Sequence, residues 1–317
     1  MTTRTSTEPP ARASARAGGR PAGGRRRERR LDAAFGYALI APQLLGVVLF
    51  VFVPLGLLFY FSLHEWRVLA GSLDFVGAAN YERLLNDPLL PGVLLTTAVF
   101  SVILVAANIV LAMVLAVLLN RRFRGLTAFR AVFFSPVVVS LVAWTIVWGF
   151  LLRDNGTING YLQLFGIDGP NWLREGPSAL ASVIVVQLFK TVGLNMVLFL
   201  AALQGVPSEL VEAARVDGAG PVRTFFKVVL PLISPTVLLA LIVTAVGSLQ
   251  VFAQIDVLTQ GGPGHSTTVL AYYIYEQAFL FNKFGYGSAL SLVLFLVVLI
   301  LTVIQWRLRT RWVFYEQ

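Results

Sequence analysis

Few residues in this chain could do chemistry. Glu212 and Asp217 lie close together, and two acids at such spacing are a conceivable general acid–base pair, but no nucleophile or metal cluster accompanies them. His64 and His265 are far apart in sequence, in separate loops, and read as ordinary loop residues. Cysteine is absent, which excludes disulfides, thiolate metal sites and cysteine nucleophiles. The lysines are Lys190, Lys227 and Lys283, and none follows a glycine. The chain therefore has no G-x-x-x-x-G-K-[ST] phosphate loop. The polar segment Glu212-Ala213-Ala214-Arg215-Val216-Asp217-Gly218, with Val228-Val229-Leu230-Pro231 beyond it, fits contact better than catalysis. It lies between two long apolar runs, and a loop of roughly twenty-five residues exceeds what a return hairpin needs. Structure there suggests a docking surface for a soluble partner.

The elements that position this segment follow from composition. The 317 residues are 57% hydrophobic and 13% charged, with a mean hydropathy of +0.76. Soluble domains carry about 25% charged residues, so this is a multi-span membrane protein. Six apolar runs, near 35–61, 93–119, 131–152, 179–203, 232–256 and 286–306, match the hydrocarbon thickness. Backbone polar groups in lipid must pair within the segment, so the spans are helices. Short alternating segments of the β-barrel type are not visible. The fold class is thus an all-α integral membrane protein with six transmembrane helices.

Charge sets the orientation. Nineteen of the 25 Lys and Arg residues fall in the N-terminal tail, the second and fourth loops and the C-terminus, among them Arg121, Arg130, Arg215, Lys227 and Arg307. Five (Arg67, Arg83, Arg153, Arg174 and Lys283) fall on the other side. The positive-inside rule places both termini and the Glu212 loop in the cytoplasm. The net charge of +9 reflects this topology and is not a sign of nucleic-acid binding. The opposite face carries Glu65, Asp74, Glu82, Asp87, Asp154, Asp168 and Glu175, which read as solvated loop charges or as the counterpart of a basic patch on a partner.

Residues 1–30, rich in Arg, Ala, Gly and Pro, are expected to be a disordered cytoplasmic tail that touches anionic lipid. Residues 31–317 form the membrane domain, with a cytoplasmic coupling loop at 204–231. Within the loop, Ser208 is expected to cap a short helix with Glu209 in its first turn. Leu210, Val211, Ala213 and Ala214 give it a compact face. Gly218 ends that helix in the left-handed region, Gly220-Pro221 starts a second, and Pro231 marks the start of the fifth span. In the external loops, a small helix is expected around Glu82-Leu85, Asp154-Asn155-Gly156 forms a turn, and Gly261-Gly262-Pro263 makes a sharp bend. The aromatic stretch from Tyr272 to Phe284 suits a membrane interface.

Inside the spans, Lys190 lies near the middle of the fourth, where a lysine costs about 2.5–3.5 kcal/mol, and no deep carboxylate offers to pair with it. Either it faces a watery cavity or it snorkels. Gln187, Asn195, Gln250 and Gln254 are further polar groups, which either hold helices together or hydrogen-bond a solute in transit. Trp144 and Trp148 either pack or anchor at the membrane interface, or else stack on the ring of a solute. Lys190, Asn195, Gln187, Gln250, Gln254 and Trp144 make up the candidate substrate pathway.

The loop resembles a known family. Glu212, Ala213, Ala214, Gly218, Val228, Leu230 and Pro231 fit E-A-A-x3-G-x9-[IV]-x-L-P, the cytoplasmic-loop motif of permease subunits of bacterial binding-protein-dependent ABC importers. Phe75-Val76-Gly77-Ala78-Ala79-Asn80-Tyr81, Leu258-Thr259-Gln260-Gly261-Gly262-Pro263 and Gly193-Leu194-Asn195-Met196 resemble segments of the sugar-type members, which include the maltose and glycerol-3-phosphate systems. The likeness covers the chain from about residue 35. It implies a type I importer permease in the bacterial cytoplasmic membrane, not an enzyme, translocating a carbohydrate or related polyol. It implies as partners two cytoplasmic ABC ATPase subunits, a second permease in a heterodimer, and an external solute-binding protein. ATP and Mg would be bound by the ATPases and no cofactor by this chain. The resemblance implies that Glu212, Ala213, Ala214, Asp217, Gly218, Leu230 and Pro231 form the coupling site, with Glu212 as the polar contact and Gly218 as the bend. The competing reading is an autonomous secondary transporter, which wants broken helices and buried ionisable pairs; a membrane enzyme at Glu212 and Asp217 is a third.

Overall fold

The computed structural model describes residues 22–67, 71–121 and 124–312, and it divides into two units, Met1–Leu57 and Leu58–Gln317. The first unit carries α1 (Ala22–Val47), a π-helical segment (Val48–Phe52), and the start of α2 (Val53–Ser62). Residues 22–30, expected to be disordered, are instead the first turns of α1; residues 1–21 lie outside the described residues. Alanine, arginine and glutamate favour helix, and extending a helix already nucleated by an apolar run costs little. None of residues 35–57 is buried.

The second unit opens with a hairpin that the hydropathy pattern did not predict, β1 (His64–Arg67) against β2 (Ser72–Phe75), with His64 opposite Phe75. Helices α3 (Ala79–Leu85), α4 (Leu90–Leu119), α5 (Leu126–Val138), α6 (Leu141–Leu151), α7 (Thr157–Leu164) and α8 (Gly176–Gln204) follow. Next come α9 (Ser208–Val216) and α10 (Pro221–Thr224), which passes through a π-helical segment (Phe225–Val229) into α11 (Leu230–Leu232). Helices α12 (Ser234–Leu249), α13 (Ala253–Leu258), α14 (Leu270–Tyr275, continued by a π-helical segment Glu276–Leu280) and α15 (Phe284–Trp312) complete the described residues.

Among the described residues, four helical runs are long and apolar enough to cross a membrane unbroken: Phe35–Ser62, Leu90–Leu119, Gly176–Gln204 and Phe284–Arg309. The other two expected spans are broken. The third splits into α5 and α6, bent by 105°, while the 72° bend at the fifth falls at its start, where the loop segment Pro221–Leu232 meets Ser234–Leu249. The fifth also stops at Leu249, so the expected run to 256 includes the separate helix α13. Pro235, in the first turn of α12, lacks an N–H and crowds the turn before it, where the 72° bend lies; Pro136 lies inside α5, two residues ahead of its end. Hydropathy counts apolar residues and does not register the direction they take.

The core is built on α4 and α8. Leu90, Val93, Thr97, Phe100, Leu104, Asn108, Ala112, Ala116 and Leu119 are the buried residues spaced along α4, a stripe at three- and four-residue intervals. Ala112 and Ala116 meet Val192, Met196, Phe199 and Leu203 of α8 in one cluster; Phe100 and Leu104 join Val183 and Val186 of α8, Ile255 of α13 and Tyr272 in another. Small residues allow such close approach.

The external motifs serve as clasps. Asn80 donates to the carbonyls of Ser62 (2.9 Å) and His64 (3.1 Å), and the Tyr81 and Ser62 hydroxyls share a hydrogen bond of 2.6 Å. A Cβ on Gly285 would lie 2.0 Å from the His64 carbonyl oxygen, so only glycine lets α15 pass there. The expected bend at Gly261-Gly262-Pro263 is present: Gln260 and Gly261 take φ of 50° and 78°, and Thr268 donates to the Gly261 carbonyl at 3.0 Å. Tyr272 and Tyr273, placed by the sequence at a membrane interface, are buried in the core.

Candidate coupling surface and membrane site

Helix α9 begins after Pro207, whose extended backbone keeps it out of the helix. Ser208, expected to cap it, is the first helical residue and makes no capping bond; Pro207 holds the cap position. The other end behaves as expected. Gly218 has φ of 79°, its N–H donates to the Arg215 carbonyl (3.0 Å), and the Ala219 N–H donates to the Ala214 carbonyl (2.9 Å). This pair of bonds is the Schellman stop, and the left-handed residue it needs is glycine at least strain. Gly220 then stays extended and Pro221 opens α10.

At 100° per residue, Val211, Ala214 and Arg215 share one face of α9, and Glu209, Glu212, Ala213 and Val216 the other. Val211 and Ala214 are half-buried. Val211 and Arg215 line a cavity of 210 Å³ with Leu203 of α8, Asn120 after α4, and Thr224 and Phe225. Glu212 and Ala213 are exposed, and Val216 is 88% exposed. The apolar face expected as one surface is therefore split: Val211 and Ala214 turn toward the body, Leu210 and Ala213 outward. Glu212 has no ion pair or hydrogen bond among the described residues. Asp217 and Gly218 are exposed at the turn. Leu230, by contrast, packs half-buried against the α4–α8 cluster, and Pro231 lies in the first turn of α11, just ahead of the 72° bend. Leu230 thus ties the loop to the body.

The polar residues of the spans form a connected array. Gln254, buried on α13, donates to Gln187 of α8. Thr191 donates to the Gln187 carbonyl (2.9 Å), and Asn108 of α4 donates to Thr191 (2.8 Å). Asn195, 2% exposed, donates to Asn108 Oδ1 (2.6 Å) and to Thr244 of α12 (2.8 Å). Trp144 donates to the Val186 carbonyl at 3.1 Å and packs edge-on against Trp148. Gln250 is exposed just past α12. Lys190 is half-buried and its ammonium donates to the carbonyls of Pro136 (2.6 Å), Val137 (3.4 Å) and Val139. The ammonium sits on the broken end of α5. Of the six expected pathway residues, Gln187, Asn195 and Gln254 thus belong to one array, while Lys190, Trp144 and Gln250 stand apart from it. Asn108, Thr191 and Thr244 were not singled out from the sequence, although a lone asparagine in the apolar run of α4 is a visible signal.

Asp87, read from the sequence as one of several external loop charges, is held inside the fold. Its carboxylate accepts from the Tyr273 hydroxyl (2.6 Å), the Tyr286 hydroxyl and the Leu89 N–H (2.9 Å). Burial pushes its pKa up, but these donors outweigh it and leave the carboxyl below the usual range. A larger recess of 890 Å³ opens between the end of α6, the approach to α8 and α13, with Arg153, Asp154, Asn171, Arg174 and Gln260 in its lining.

Residues 18–313 match the family model for the binding-protein-dependent transport system inner membrane component. The chain is 36% identical over 282 residues to the sn-glycerol-3-phosphate transport system permease protein UgpA of Pectobacterium atrosepticum, covering 88% of this chain and 95% of that protein. It is 35% identical over 270 residues to the multiple sugar-binding transport system permease protein MsmF of Streptococcus mutans, covering 85% and 93%. In fold it is similar to a chain of a bacterial ABC transporter involved in import of the acidic polysaccharide alginate, with a TM-score of 0.78 at 20% identity over 90% of this chain and 99% of that one.

Proposed function

Because this chain belongs to the family of inner-membrane components of binding-protein-dependent transport systems, we propose that it is one permease subunit of an ATP-driven importer for a carbohydrate or polyol phosphate. The observation that carries this reading is the outward face of α9. Glu212 and Ala213 are exposed on a helix fixed at one end by the Gly218 stop and seated on the body through Val211 and Ala214. An acid without an internal partner, on a rigid helix of about 13 Å, suits insertion into a cleft of a soluble protein. In this reading two cytoplasmic ATPases bind ATP and Mg, and each grips one such helix. A second permease completes the pathway as a heterodimer, and an external binding protein delivers the solute. Both termini lie in the cytoplasm by the positive-inside rule.

The bend at Leu232–Ser234 transmits the motion, since Leu230 ties the loop to the body just ahead of it. A rigid α9 moved by a closing ATPase displaces α12 through that joint. The relatives named for sugars and for sn-glycerol-3-phosphate support the substrate class, as does the recess lined by Arg153 and Arg174, whose guanidinium forks suit phosphate and hydroxyl groups. Gln250 is the pathway candidate left open to a passing solute, while Gln187, Asn195, Gln254, Trp144 and Lys190 shape the wall.

Affinity purification of the tagged chain in mild detergent, with mass spectrometry, is expected to recover a P-loop ATPase and a second six-span permease in stoichiometric amounts. Glu212→Lys is expected to leave insertion intact, weaken ATPase capture and abolish uptake. Normal substrate-stimulated ATP hydrolysis in that variant, or a chain that transports alone without ATP, overturns the reading.

A further inference from the structure

Helix α5 stops at Val138, and the chain turns by 105° into α6. Such an end strands the last carbonyls of a helix, which in a membrane interior have no water to bond. Three carbonyls at this break, those of Pro136, Val137 and Val139, converge on the Lys190 ammonium from a helix more than fifty residues away in sequence. An ammonium has three donors and no acceptor, so its hydrogen-bonding capacity is spent on the break. The negative pole of α5 favours a cation at the same place. One turn along the same face of α8, Gly193 lies so close to α5 that a Cβ would sit 2.0 Å from the Phe133 carbonyl oxygen. Lys190 and Gly193 together clamp α8 to the backbone of α5. No carboxylate is hydrogen-bonded or ion-paired to Lys190 among the described residues.

We propose that the carbonyls of Pro136, Val137 and Val139 form a cation site at the broken span, filled by the tethered Lys190 ammonium, and that this cation is the positioning group that sets the bend. Lys190 then contacts no solute; it holds the shape of the wall. Methionine keeps the length of the side chain and loses the donors. Arginine keeps the charge, but a planar fork does not match three converging carbonyls as an ammonium does. Alanine empties the site down to Cβ, leaving room for a free primary ammonium of three carbons.

The chain has no native cysteine, so spin labels attach only where cysteines are introduced. Val132 on α5 and Val147 on α6 are both exposed, at 67% and 55%. Labelled there, the full chain in lipid nanodiscs reports the bend by pulsed electron resonance, without ATPase or substrate. The expected result is a narrow distance distribution in the wild type and a broadened one in Lys190→Met. Lys190→Ala is expected to broaden and then narrow saturably with n-propylammonium, but not with tetramethylammonium, which has no N–H. A Lys190→Met distribution as narrow as the wild type overturns the proposal, and so does Lys190→Ala broadening that n-propylammonium leaves unchanged. If Lys190→Ala is recovered monodisperse only with n-propylammonium present, the site is supported; failure to recover it in either condition overturns it.

Discussion

Replacing Gly193 by alanine tests the packing of α5 on α8 directly. The added Cβ would lie 2.0 Å from the Phe133 carbonyl oxygen, 2.9 Å from its carbon and 3.1 Å from Phe134 Cα. All three are backbone atoms, so no side chain can swing aside, and the helices must part by more than an ångström to reach ordinary contact. Forced overpacking costs about 1–3 kcal/mol. The same displacement stretches the Lys190 bond to Pro136 from 2.6 Å beyond hydrogen-bonding range, and a bond to a charged group is worth roughly 1.5–3 kcal/mol. The expected total is about 2.5–6 kcal/mol, reduced if the break relaxes. Gly247 of α12 is the control: nothing lies within 4 Å of its would-be Cβ and its φ is not positive. Alanine there is expected to be neutral or to stabilise by about 0.4–1 kcal/mol. Reversible unfolding of the purified chain in bicelles, followed by steric trapping, measures both. A Gly193→Ala protein within about 0.5 kcal/mol of the wild type would refute the close approach from which this reasoning starts.

Asn195→Leu is expected to lose about 1–2 kcal/mol by stranding Asn108 and Thr244, and the Asn108→Leu, Asn195→Leu double variant to lose less than the sum of the single ones; additivity in a double-mutant cycle would show that the array is not coupled. Asp87→Asn is expected to cost roughly 1 kcal/mol at neutral pH through weaker acceptance from Tyr273, Tyr286 and Leu89. Because the Asp87 pKa is held below its ordinary value in the folded chain, that difference is full above about pH 4, the unfolded value, and disappears as pH falls through the folded one. Thermal unfolding of both proteins across acid pH measures it, and a gap that does not close on acidification would mean the carboxylate is not charged in the fold.

The loop between the fourth and fifth spans was legible because its determinants are local. Gly218 supplies the left-handed residue at the stop and Pro221 the start of the next helix, and each acts within a turn of itself. Ser208 misled because Pro207, one residue earlier, already held the cap position. The hairpin at His64–Phe75 was missed because its four-residue strands lie beside an apolar run that dominates any hydropathy window.

Sequence alone determined that this is a helical membrane chain, where most of its spans run and which loop carries the short helix α9, since apolar length and turn residues act over a few neighbours. Only the tertiary structure decided the bends of the third and fifth spans and the work of the polar residues inside them. Lys190 meets Pro136 across 54 positions, Asn195 meets Asn108 across 87, and Asp87 meets Tyr273 across 186. In a span that is apolar on every side, periodicity does not say which face meets which neighbour, so a polar residue's role is settled by the helix that packs opposite it.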